Sequence, residues 1–129
     1  MTETYKQKHP NFEQRKEQSE KILQQYPDRI PIICEKAASS KLPDIDKNKY
    51  LVPTDLTAYK FSFIIRKRIK MPEKDSLYFF VNSRYLLKGD TLMSEVYNNR
   101  KDTDGFLYIT YTDETTLGTE EWAPNSFRT

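Results

Sequence analysis

In this 129-residue chain, the residues most suggestive of covalent chemistry are Gly118, the single cysteine Cys34 and the single histidine His9. Gly118 ends a strand-like run, and only residues 119–129 follow it. If that tail were removed, Gly118 would become a C-terminal carboxylate without a side chain, able to enter a narrow enzyme channel, form a thioester and pass to an amine. A glycine that merely ends a strand explains the position too, and Gly118 alone favours this simpler interpretation.

Cys34 and His9 are not expected to form a reactive pair. Cys34 lies in the apolar run Ile30–Glu35, which predicts a buried structural thiol. His9 precedes Pro10 and is expected in a loop. One cysteine and one histidine exclude an internal disulfide and a histidine- or cysteine-rich zinc site. The Asp102–Gly105 turn lacks the glycine and glutamate that complete a calcium loop. We therefore expect no metal and no cofactor.

The composition predicts one folded, soluble domain. Hydrophobic residues make up 36% of the chain and charged residues 31%, and 129 residues suffice for one modest core but not for two. No apolar run reaches the roughly 20 residues that span a bilayer, and Met1–Lys8 lacks the apolar centre of a secretory signal. We expect a cytosolic protein unless something is attached to it later.

Positive charge is concentrated in two segments, residues 6–21 and 66–70, although the net charge is only +2. Neither segment has the aromatic or glycine-rich signature of a nucleic-acid-binding module, so no nucleic-acid partner is expected. Plain solvated faces, acidic protein surfaces and, as the least favoured, nucleic-acid phosphates are the three alternatives for these clusters.

Hydrophobic periodicity and proline positions predict four helices and five strands. The predicted helices are Thr4–Lys8, Phe12–Tyr26, Thr57–Lys70 and Leu92–Tyr97. The predicted strands are Arg29–Glu35, Lys49–Pro53, Leu77–Val81, Tyr85–Leu87 and Phe106–Thr112. This order favours an α+β fold, the ubiquitin-like β-grasp, in which a helix crosses a mixed sheet, with an N-terminal helical extension.

Two prolines indicate that the sheet has an open edge. Pro31 lies inside the first predicted strand and Pro53 closes the second, so neither strand is expected to have a full ladder on both sides. An open edge can accept a peptide as an additional strand. The helix over Thr57–Lys70 is apolar on more than one face, which predicts that part of it lines an external groove.

Five segments are together typical of one family: Tyr26–Lys36, Asp46–Leu56, Phe63–Ile69, Leu77–Asn82 and Asp104–Tyr108. Through them the chain resembles the autophagy-related ubiquitin-like modifiers, of the GABA-receptor-associated protein and microtubule-associated light-chain types. The resemblance runs from about Tyr5 to Gly118, and it reverses the simpler interpretation of Gly118.

The resemblance implies a modifier rather than an enzyme. It divides the chain into a helical extension (1–27), a ubiquitin-like domain (28–118) and a propeptide tail (119–129). A cysteine protease would cleave after Gly118, activating and conjugating enzymes would carry the carboxylate as thioesters, and phosphatidylethanolamine would be the acceptor. The protein would be cytoplasmic before conjugation and on the autophagosome or vacuolar membrane afterwards, because a two-chain lipid anchors a protein stably.

The resemblance also implies that cargo receptors and autophagy factors bind through an aromatic-x-x-aliphatic motif flanked by acids. The aromatic pocket would use Ile22, Pro31, Ile33, Lys49, Leu51 and Phe106. The aliphatic pocket would use Tyr50, Val52, Pro53, Leu56, Phe61 and Ile64. The flanking acids would meet Arg29, Lys47, Lys49 and Arg68. For Ile33, Val52 and Ile64, plain core packing remains an equal alternative.

A competing class is an interaction adaptor that is never conjugated. Such a protein would bind its partner, for example a microtubule, through the basic N-terminal helix. Gly118 would then be dispensable for membrane association.

Overall fold

In the computed structural model, which describes residues 3–72 and 74–114, helices and strands follow one another in the predicted order. The helices are α1 (Tyr5–Lys8), α2 (Phe12–Gln25), α3 (Ala58–Arg68) and α4 (Met93–Arg100). The strands are β1 (Arg29–Lys36), β2 (Lys49–Pro53), β3 (Tyr78–Val81), β4 (Tyr85–Leu86) and β5 (Leu107–Thr112). None of the described helices combines the length and apolarity needed to cross a bilayer.

Side-chain caps account for where several helices begin. Asn11 and Thr57 each accept a backbone N–H three residues further on, as N-cap residues do. α3 ends two residues before the predicted Lys70, which has a left-handed backbone with φ of 56°. α4 runs three residues beyond the predicted Tyr97. Its last turn is polar and exposed, so hydrophobic periodicity does not reveal it.

The five strands form one mixed sheet in the order β2-β1-β5-β3-β4. β1 is antiparallel to β2 and parallel to β5, and its pairing with β5 begins only at Ile32. Pro31 lies before the first residue of β1 that pairs with β5, so its missing N–H removes no bond from that ladder. Among the described strands, β2 has a neighbour on one side only. The predicted open edge is therefore confirmed.

The two faces of the sheet are covered by different helices. α3 and α4 cover one face, where Ile32, Cys34 and Leu107 belong to the main apolar core. On the opposite face, Ile33 packs with Tyr5 of α1 and Phe106, and Ile22 of α2 lies against them. Strand alternation places neighbours in β1 on opposite faces, and β2 extends both faces to the open edge.

Candidate peptide-binding site at the edge strand

The edge strand β2 presents different side chains to the two faces of the sheet. Lys49 is exposed and Leu51 half-buried, whereas Tyr50 and Val52 are buried. Lys49 pairs with Ile33 of β1 in register, on the face that α2 covers. Tyr50 and Val52 belong to the core beneath α3. A peptide added to this edge would therefore lie between two apolar regions.

The six residues predicted for the aromatic pocket are brought together on the α2 face. Ile33 and Phe106 are fully buried, and Ile22 is half-buried beside them. The register places Pro31 and Leu51 opposite each other on the same face. Leu51 and Ile22 retain accessible surface. For Ile33, the core-packing alternative is the one that the structure shows.

The six residues predicted for the aliphatic pocket fall into a buried and an exposed group. Tyr50, Val52 and Phe61 lie in the main core, where the Tyr50 and Phe61 rings meet edge to face at 6.1 Å. Pro53 and Leu56 are half-buried and Ile64 is 37% exposed. Val52 is therefore a core residue and Ile64 is not. Leu56, which packs against the main core, and Ile64 supply accessible apolar surface on this side.

The extra apolar width of α3 lines a groove beside β3 and β4, so the aliphatic pocket accounts for only part of it. Tyr59 and Phe63 lie on the side of α3 that faces β3 and β4, in a groove of about 500 Å³ that also contains Leu77 and Leu86. Tyr59 is 61% exposed and Phe63 37%. The helical period predicted an unusually wide apolar surface on α3. It did not predict which strands lie beside each side of that surface.

Cations lie at both ends of β2. Arg29 pairs in register with Pro53 at the strand's C-terminal end. At the other end, the Lys47 Nζ lies 5.4 Å from the centre of the Tyr50 ring, and the Lys49 Nζ lies 5.5 Å from that of Tyr5. Arg68 projects there from α3. Within the described part of the chain, Arg68 is the one of these four cations that forms an ion pair.

Tyr50 brings a polar atom into the apolar side of the site. Its hydroxyl is buried and, among the described residues, makes no hydrogen bond of good geometry. Desolvation by burial raises the pKa of Tyr50 to about 12, although the nearby Arg68 acts in the opposite direction. The phenol therefore stays neutral at physiological pH.

A buried polar cluster holds α2 over the α2 face of the sheet. The Asp104 carboxylate accepts hydrogen bonds from the Arg15 Nε at 2.9 Å, the Tyr108 hydroxyl at 2.6 Å and the Phe106 N–H at 2.9 Å. The Ser19 hydroxyl donates to the Asp104 carbonyl. The hydrogen bond to Asp104 raises the pKa of Arg15, and burial followed by Asp104 raises that of Tyr108. Sequence reasoning missed this cluster, because Arg15 and Asp104 are far apart in the chain.

Gly118 and the tail 119–129 lie outside the described residues. β5 ends at Thr112, which pairs with Tyr78 of β3, and the Ser40 hydroxyl lies 3.1 Å from the following Asp113. Cys34 is buried, and desolvation raises its pKa, as expected for a structural thiol. Among residues 3–72 and 74–114, no group of three potential metal ligands was found.

Comparison with known proteins identifies the family. The profile described as "Autophagy protein Atg8 ubiquitin like" matches residues 14–118. The autophagy-related protein 8 of Saccharomyces cerevisiae is 50% identical over 118 residues, which cover 92% of this chain and 99% of that protein. The protein of the same description from Neurospora crassa is 50% identical over 123 residues, covering 95% and 100%.

A solved structure gives the same result for the fold. The crystal structure of Trypanosoma brucei ATG8 matches with a TM-score of 0.79 and 35% identity, covering 86% of this chain and 95% of that one. The predicted ubiquitin-like fold with N-terminal helices is therefore confirmed. The chain belongs to the Atg8 family of ubiquitin-like autophagy proteins.

Proposed function

We propose that this protein is a conjugated modifier of autophagy that recruits factors carrying an aromatic-x-x-aliphatic motif. The observation that carries the proposal is the open edge of β2, with accessible apolar surface on both sides of one strand. Main-chain pairing with the edge would supply affinity, and the two pockets would read alternate side chains of the peptide.

The site implies a direction for the bound peptide. The aromatic pocket adjoins Lys49 and Leu51, while the aliphatic pocket adjoins Pro53 and Leu56, further along the chain. A motif with the aromatic residue first would therefore run parallel to β2. Acids before the aromatic residue would meet the cations at the start of β2, and acids after the aliphatic residue would meet Arg29.

Ile64 and Phe63 allow a matched test, because they are adjacent on α3 and each is 37% exposed. We expect Ile64→Ala to weaken binding of a fluorescent motif peptide about tenfold, since burial of the branched side chain is lost. Phe63→Ala, on the side of α3 facing β4, should leave affinity unchanged. Equal effects of the two changes, in a fluorescence anisotropy titration, would contradict the assignment of the aliphatic pocket.

The second half of the proposal concerns the C-terminus. Cleavage after Gly118 by a cysteine protease, and transfer of the new carboxylate through activating and conjugating enzymes to phosphatidylethanolamine, would move the protein from cytoplasm to the autophagosome or vacuolar membrane. Two acyl chains hold a protein on a bilayer where one is marginal. Membership of the Atg8 family supports this chemistry.

Intact mass spectrometry of the native protein tests this step. We expect a soluble species ending at Gly118 and a membrane species heavier by one phospholipid, both absent in Gly118→Ala. Full-length chain in both fractions, with membrane association unchanged in that variant, would instead support an unconjugated adaptor. Peptide binding at β2 would survive that outcome, so the two halves are tested separately.

A further inference from the structure

Arg68 differs from the other cations of the site because it already holds an acid of its own chain. Its Nε lies 3.2 Å from Asp46 Oδ1, and its Nη2 lies 3.4 Å from Asp46 Oδ2. This two-pronged arrangement is the one that a guanidinium makes with the carboxylate of a ligand. Asp46 therefore occupies the position on Arg68 that an acidic residue of a bound peptide would take.

The pair is placed where a ligand can exchange with it. The Arg68 side chain is 43% exposed and that of Asp46 75%. An ion pair this exposed is worth little in water, so an incoming carboxylate can displace Asp46 at small cost. Once displaced, Asp46 remains a negative charge close to the ligand acid.

We infer that Asp46 competes with the acidic residue of the ligand for Arg68 and so sets how strongly the site favours acid-flanked motifs. The inference rests on the proposed peptide-binding function of β2. Ligands with uncharged flanks leave the Arg68–Asp46 pair intact and are unaffected. Ligands with an acid before the aromatic residue must displace Asp46, so their affinity is lower than Arg68 alone would permit.

Lys47 shows the contrast within the same segment. It stacks over the Tyr50 ring and has no carboxylate partner among the described residues. A ligand acid can therefore reach Lys47 without displacing an internal one. Two neighbouring cations at one end of β2 thus respond differently to the same acid, and Asp46 causes the difference.

Asp44 provides a matched control. It lies in the same loop, and its Oδ1 pairs with the Lys36 Nζ at 3.2 Å with 62% exposure of its side chain. Asp44→Asn and Asp46→Asn raise the net charge equally, but only Asp46→Asn frees Arg68. The probes are two fluorescent peptides that share one aromatic-x-x-aliphatic motif, with three acids or three serines before the aromatic residue.

We expect Asp46→Asn to tighten binding of the acidic peptide about two- to fivefold, the range of an exposed ion pair. Binding of the serine peptide should not change, Asp44→Asn should have no effect on either peptide, and the gain should vanish in an Arg68→Gln background. An equal gain from Asp44→Asn would overturn the inference in favour of bulk charge. A loss of affinity in Asp46→Asn would overturn it in favour of Asp46 orienting Arg68.

The proposed function and the inference fail in different ways in this experiment. If the unchanged protein bound neither peptide, the peptide-binding function itself would be wrong and the inference would be overturned with it. If the unchanged protein bound both peptides and Asp46→Asn left both affinities unchanged, only the inference would be wrong.

Discussion

The two faces of the sheet hold their helices by different means. The α3 face buries a large apolar core, to which every strand from β1 to β5 contributes except β4, whose Tyr85 is only partly buried against it. The α2 face has a small buried cluster of Tyr5, Ile33 and Phe106. On this face the buried Arg15–Asp104 ion pair holds α2 against the sheet. On the other face, buried apolar surface holds α3 and α4.

This difference affects how each face responds to substitution. Apolar attachment is distributed over many side chains and has little directional preference. Attachment through a buried ion pair depends on a few atoms, because removing one partner leaves the other charged, buried and uncompensated. We therefore expect α2 to detach from the sheet by local unfolding. We expect α3 to unfold only together with the rest of the protein.

Phe61→Ala should give the largest effect. Phe61 is fully buried and contacts the rings of Tyr50 and Phe79, so truncation should lower the free energy of unfolding by about 4 kcal/mol. Urea denaturation measures this, and hydrogen exchange should accelerate throughout the sheet. Faster hydrogen exchange in α3 alone would contradict the expectation that α3 unfolds only together with the rest of the protein.

Asp104→Asn should give the second-largest effect. It should lower the free energy of unfolding by about 3 kcal/mol, because the buried Arg15 charge loses its counter-ion. Hydrogen exchange should accelerate more in α2 than in β3. The control is Asp102→Asn, since Asp102 pairs with a Lys6 side chain that is 46% exposed, which limits the cost to about 1 kcal/mol. Uniform acceleration in α2 and β3 would exclude local detachment.

Gly105→Ala probes the close approach of α2 to the turn before β5. Gly105 has a φ of 93°, and a Cβ there would overlap the Ser19 hydroxyl of α2. Strain and the displaced side chain should together cost about 2 kcal/mol. Ser19→Ala removes the overlapping oxygen but also its hydrogen bond to the Asp104 carbonyl, so Ser19→Ala alone is the reference. Gly105→Ala should cost less stability in the Ser19→Ala background than in the unchanged protein, as thermal unfolding would report. An equal cost in the two backgrounds would assign all of it to backbone strain.

The smallest effect is expected at Glu35, whose carboxylate accepts the Tyr5 N–H beneath α1. Burial raises the pKa of Glu35, although the Tyr5 N–H and nearby lysines oppose it. A carboxyl whose pKa is raised by folding disfavours the folded state at neutral pH, and this penalty disappears as pH falls through the folded and then the unfolded pKa.

Glu35→Gln should therefore raise the Tm at pH 7 and have no effect near pH 4, where a glutamate in the unfolded chain, with a pKa of about 4.3, is largely protonated. Glu20→Gln on the exposed side of α2 is the control. A Tm gain of equal size at both pH values would show that the charge of Glu35 is not its cause.

Local sequence signals determined the elements and much of their arrangement. Periodicity and caps specify the helices, and Pro31 with Pro53 indicates the open edge, because both act within a few residues of the chain. The apolar setting of Cys34 correctly predicted a buried thiol. Gly118 remains a prediction, because it lies outside the described residues.

Only the tertiary structure decided which residues predicted for the two pockets are buried and which are exposed. Ile33, Val52 and Ile64 are all apolar and equally ambiguous in the sequence, yet the first two are buried and the third is 37% exposed. Likewise, the sequence around Asp104 indicates only a turn, and the fold alone places Arg15 within hydrogen-bonding distance. The sequence around Asp46 indicates only a loop, and the fold alone places Arg68 of α3 beside it. Burial and long-range pairing depend on which elements pack together, and a local pattern carries no information about its distant neighbours.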